Sequence, residues 1–86
     1  MLKNLFLSSL FFASIIAQGS ENKISTQWCK LNFGISQFRT SYGTYVDCLT
    51  EQYAIEAEFD YNWKESIGQS LHYSEATGKQ AAILFI

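Results

Sequence analysis

From Tyr53 to Tyr61 the chain alternates cleanly, with Tyr53, Ile55, Ala57, Phe59 and Tyr61 on one side and Ala54, Glu56, Glu58 and Asp60 on the other. A period of two is that of a half-buried strand, so the first set is expected to face a core. Just upstream, "ISQFRT" and "TYVDCLT" are rich in β-branched and aromatic residues and are separated by "SYG", the composition of a β-hairpin with glycine at a positive-φ position. The turn "TEQ" joins this hairpin to the alternating strand. Ahead of the hairpin, Ile24, Trp28 and Leu31 recur at helical spacing, Ser25 or Thr26 is a candidate cap and Gly34 a candidate stop, which predicts a short helix over 25–33.

Beyond the alternating strand, "NWKE" has the form of a capping box, with Asn62 as cap and Glu65 reaching back. It predicts a helix from Trp63 to about Thr77, with Trp63, Ile67 and Leu71 as its apolar row and Gly78 at the residue after the cap. The closing run "QAAILFI" is apolar throughout, which suits the middle of a sheet better than an edge. The order is therefore helix, strand, strand, strand, helix, strand. A helix between the last two strands is the connection that lets them lie parallel, so the expected class is α/β (α+β) with a mixed sheet.

The first residues change the picture of where this domain folds. Lys3 precedes the apolar run "LFLSSLFFASII", and small residues follow in "AQGS". A run of about 12 residues suits a secretory signal and falls short of the roughly 20 needed to span a bilayer. Residues 1–19 are expected to be a signal peptide, leaving 20–86 as a single domain that is secreted or periplasmic. The alternative is an uncleaved N-terminal helix that anchors the protein in a membrane. No proline, repeat or low-complexity tract marks a second domain.

So small a domain sits near the lower limit of a self-sufficient core. Cys29 and Cys48 offer a staple if export exposes them to an oxidising compartment, and a bridge between them would contribute on the order of 3 kcal/mol. The other reading is two small buried hydrophobes. Residues 20–86 carry eight acidic and five basic side chains. That balance argues against a protein whose main task is to hold a phosphate backbone, and leaves room for a weak or metal-assisted contact with nucleic acid.

Asp47, Glu56 and Glu58 are the chemically unusual residues. Glu56 and Glu58 share a strand face, about 6.6–7 Å apart, and Asp47 falls on the neighbouring strand. Carboxylates gathered there raise one another's pKa unless a cation neutralises them, and Mg²⁺ is held through one or two carboxylates plus waters. The plainer alternative is a solvated sheet face.

The block "YVDCLTEQYAIEAEFDYNWKESIGQSLHYSEATGK" resembles a family of small bacterial and phage proteins with the PD-(D/E)XK nuclease fold, related to Holliday junction resolvases. The elements of the resemblance are "VDCLT" on one strand, "AIE" followed one residue later by an acid on the next, and "W..IGQ.L.Y..TGK" on the helix, over about Trp28 to Ile86. It implies a small restriction-endonuclease-like core hydrolysing phosphodiester bonds with Mg²⁺ or Mn²⁺, and no small-molecule cofactor. Asp47 then corresponds to the first metal-binding aspartate and Glu56 to the second acid. Glu58 falls where many members of the wider superfamily carry a catalytic lysine, and Gln69 and Tyr73 correspond to helix residues lining the site. Two positions depart from the pattern: Gln37 stands where an upstream glutamate is implied, and Asn62 where a lysine precedes the tryptophan. Lys64 follows Trp63 instead, turned by about 100–200° around the helix, and with Lys79 is the local candidate for the basic group that stabilises developing charge. The resemblance also implies further chain after the last strand, so a truncated core is expected. A non-catalytic binding or structural module on the same fold is the competing expectation. His72, without a second histidine to complete a metal pair, reads as surface or interface, and Lys79 as a complement to the helix C-terminus.

Overall fold

The structure is a computed structural model that describes residues 21–86; the expected signal segment, 1–19, lies outside the described residues. Helix α1 (Glu21–Leu31) is followed by strands β1 (Ile35–Arg39), β2 (Tyr45–Leu49) and β3 (Tyr53–Glu58). A 3₁₀ turn (Asp60–Asn62), helix α2 (Trp63–Thr77) and strand β4 (Gln80–Phe85) complete the order. The four strands lie in chain order in one mixed sheet, β1–β2 and β2–β3 antiparallel and β3–β4 parallel. This is the expected α+β architecture, with α2 as the crossover. Among the described residues, no helix is long and apolar enough to cross a membrane.

Helix α1 begins four residues earlier than its cap signal predicts. Ser25 is buried inside the helix, where its hydroxyl donates to the Asn22 carbonyl, so it back-bonds within the turn instead of capping it. At the other end, Phe33 N–H donates to the Lys30 carbonyl (3.3 Å) and Gly34 N–H to the Cys29 carbonyl (2.9 Å), a Schellman closure. The left-handed residue of that closure is Phe33 (φ 59°), not the glycine. An aromatic residue there costs on the order of 1–2 kcal/mol. Gly34 is needed for space, because a Cβ at that position would collide with both sulfurs of the Cys29–Cys48 bridge. That bridge, with its Cα atoms 5.5 Å apart, ties α1 to β2 and settles the cysteine alternatives in favour of a disulfide.

Both sheet faces are covered, which explains most of the departures from the predicted pattern. Towards α1 lie Cys48, Tyr53, Ile55, Ala57, Ala82 and Leu84, with Trp28 packed against them. Towards α2 lie Ala81 and Ile83, under Ile67 and Leu71, and a second group of Val46, Ala54 and Tyr73. Ala54 and Glu56 are thus as buried as the Tyr53 set, and the alternation in β3 separates two buried faces. Phe59 and Tyr61 leave the strand and stack on each other with centroids 5.5 Å apart. Residues 81–84 of β4 are apolar because both faces are covered, not because β4 is central: among the described strands it pairs with β3 alone.

A further departure concerns α2. Trp63 is half exposed, and the most deeply buried row is Ser66, Ser70 and Ser74. Small side chains let the helix approach the sheet closely. Each hydroxyl is satisfied by a carbonyl: Asn62 at 3.2 Å, Ile67 at 2.9 Å and Lys79 at 2.6 Å. The side chain of Asn62 makes no cap hydrogen bond to α2, so the capping box does not form. Gly78 does end the helix in the left-handed conformation (φ 74°). His72 has an interface role, with Nε2 2.8 Å from Thr44 Oγ1, pinning the β1–β2 turn against α2.

Candidate carboxyl site

The site forms where the sheet forks. Thr50 N–H bonds the Tyr53 carbonyl (2.9 Å), and β2 pairs with β3 at Leu49↔Ala54 and Cys48↔Ile55. Alternation of the antiparallel ladder would next send Ala57 N–H to a β2 carbonyl. It goes to the Asp47 carboxylate instead, at 2.8 Å. Across β2 from the fork, Gln37 takes a left-handed conformation (φ 55°), and its amide donates to Asp47 at 3.3 Å and to the Asn22 side chain of α1 at 3.2 Å. Such a conformation in a side-chain-bearing residue marks strain held by its surroundings. Here those surroundings are the α1 N-terminus and Asp47.

Asp47 and Glu56 lie close enough to share a hydrogen bond, as do Glu21 and Glu58. Glu56 is 2 % exposed. Burial, then the bond to Asp47 and the charges of Asp47, Glu58 and Glu21, push its pKa up to about 10. At neutral pH Glu56 is therefore protonated. The Gln69 amide, with its nitrogen turned to Glu56, donates to Oε1 (3.2 Å) and Oε2 (2.6 Å).

The second pair is poised lower. Burial, then the bond to Glu58 and the charges of Glu58 and Asp47, push Glu21 up to about 8. Burial alone would raise Glu58 as well, but it is outweighed by hydrogen bonds from Glu21, the Phe59 N–H (3.0 Å) and the Asn62 amide (3.3 Å), which hold Glu58 below the usual range. The Tyr73 phenol is raised by burial and by the charges of Glu56 and Asp47, so it stays neutral.

Asp47, Glu56, Glu58, Gln69 and Tyr73 thus surround one end of the sheet. Lys64 does not join them: it is exposed, with its ammonium 5.7 Å from the centre of the Trp63 ring, and no bond links it to the carboxyl groups. The residue that sequence reasoning missed is Glu21, whose one available signal was an acid four residues before the assumed helix start. The two departures from the resemblance, Gln37 and Asn62, both place amides on site carboxylates. Among the described residues, no three His, Cys, Asp or Glu side chains are arranged as a metal-binding set. Asp47 and Glu56 offer hard oxygen donors of the kind Mg²⁺ takes.

No family model, no curated protein and no solved structure matches this chain.

Proposed function

We propose that this chain is an exported nuclease-like domain in which Asp47 and Glu56 hold a divalent cation, Mg²⁺ or Mn²⁺, for hydrolysis of a nucleic-acid phosphodiester. The observation that carries the reading is the meeting of two hard carboxyl groups, Asp47 and the buried Glu56, at the fork between β2 and β3, where a cation would compete with a proton for the same oxygens. The disulfide suits a chain that folds in an oxidising compartment.

A bound Mg²⁺ supplies polarisation of a phosphoryl oxygen and a water of lowered pKa. The chain's own residues do the rest. Ala57 N–H and Gln37 fix the Asp47 carboxylate, and Gln69 fixes Glu56. At neutral pH the Glu21–Glu58 pair already holds a proton, on Glu21, and is suited to give it to a leaving oxygen. Tyr73 stays a neutral hydrogen-bond donor. With a net negative domain, contact with a nucleic acid depends on the cation.

A second reading, a non-catalytic binding or structural module, is favoured by one observation: amides from Gln37 and Asn62 occupy Asp47 and Glu58. Melting with and without millimolar Mg²⁺ or Mn²⁺, alongside cleavage assays on DNA and RNA, separates the two. Metal-dependent stabilisation and cleavage, both lost in Asp47→Ala, support the hydrolase. Stabilisation without cleavage selects the binding module. No response of either kind discards the metal site.

A further inference from the structure

The far end of α1 holds a feature that the carboxyl site does not use. A cavity of about 370 Å³ opens between the helix C-terminus and the β2–β3 turn, lined by Trp28, Asn32, Phe33, Glu51, Gln52 and Tyr53, with Thr50 beneath. That volume lies at the lower end of the range for small-ligand clefts. Three aromatic side chains line it, together with the amides of Asn32 and Gln52 and the carboxylate of Glu51.

Phe33 is the unusual member. It occupies the left-handed position of the α1 closure, where glycine is the unstrained choice, and its side chain is 95 % exposed. Neither packing nor backbone geometry accounts for a phenyl ring at this position. A strained residue that presents an aromatic ring to solvent at the rim of a cavity is a mark of binding. The polar groups beside it are also free to bind. No hydrogen bond joins the Glu51 carboxylate or the Gln52 amide to another described residue, and Asn32 uses only its Nδ2, on the Trp28 carbonyl (2.8 Å).

We propose that this cavity binds a neutral saccharide. A sugar ring has flat C–H faces and a rim of hydroxyl groups. Phe33 and the partly buried Trp28 offer apolar surface to the faces, while Asn32, Gln52 and Glu51 offer acceptors and donors to adjacent hydroxyls. A purely apolar ligand would leave those polar groups without partners. An organic cation would suit the rings and Glu51, but the Lys79 ammonium already lies at this turn, donating to the Glu51 carbonyl at 2.6 Å, and repels a second positive charge.

The test is a titration of the isotope-labelled protein with maltotriose, cellotriose and chitotriose, and separately with tetramethylammonium, followed by backbone amide NMR. At least one trisaccharide shifts the amides of 28, 32–33 and 50–53 at millimolar concentration. Phe33→Gly, which relieves the left-handed strain, melts higher than the wild type yet binds that sugar about tenfold or more weakly. The proposal is overturned if no trisaccharide perturbs these amides, if only tetramethylammonium does, or if Phe33→Gly binds as the wild type does.

Discussion

Helix α1 is fastened at its two ends by opposite means. At its C-terminal end a covalent bond, Cys29–Cys48, fixes it to β2, over a glycine that must have no side chain. At its N-terminal end, Glu21 and Asn22 meet Glu58 and the Gln37–Asp47 group through shared protons and amide hydrogen bonds. The first attachment is indifferent to pH and to cations, whereas the second titrates. One short helix therefore joins a stable anchor to an adjustable one, and the titrating carboxyl groups gather at the adjustable end.

The largest effect should come from breaking the covalent end. Cys29→Ser with Cys48→Ser, or reduction, is expected to cost about 3 kcal/mol and to lower the melting temperature by more than 10 °C. Gly34→Ala should act in the same direction, because the added methyl meets both sulfurs. Calorimetry of the oxidised and reduced protein checks both.

Next is the fork. Asp47→Ala removes the acceptor of Ala57 N–H and of Gln37, and should cost about 1–3 kcal/mol through unsatisfied donors. A denaturant midpoint unchanged from wild type would show that the sheet closes without the carboxylate.

Smaller, and opposite in sign, is Glu56→Gln. Its amide can donate to Asp47 and accept from Gln69, reproducing the protonated acid without a titrating group. Glu21 and Glu56 are both raised, from 4.5 to about 8 and about 10, so the folded state binds more protons than the unfolded chain above pH 4.5. Stability is fully present below that pH and is lost as pH rises, through about 8 for Glu21 and about 10 for Glu56. Melting temperature should therefore fall between pH 5 and pH 8 by several degrees. Glu56→Gln should raise it at pH 8 and flatten the slope. Glu21→Gln, at a half-buried position, should give the smallest change, flattening only the part near pH 8.

Much of this was legible in the chain because periodicity reports burial. The Tyr53, Ile55, Ala57 face, the hairpin, the crossover helix and its terminal glycine all follow from spacing and turn residues. Periodicity cannot report a buried face built from residues that count as polar, and so the Ser66, Ser70, Ser74 row was invisible until its hydroxyls were seen bonded to carbonyls. It also cannot show where a ladder ends. Asp47 was legible as an acid on a strand, but its role in replacing a backbone acceptor depends on the fork between β2 and β3. Glu21 was missed for a local reason: Ser25 looked like a cap, and a buried serine bonding back within its own helix gives the same sequence signal.

The central claim is that a cation and a proton compete for the Asp47–Glu56 pair. Titration calorimetry of Mg²⁺ or Mn²⁺ into the oxidised protein at pH 7, in buffers of different ionisation enthalpy, counts the protons released on binding. The account predicts release approaching one proton per cation, tighter binding as pH rises, and loss of both in Glu56→Gln. Binding with no proton release, or no binding at all, would contradict it.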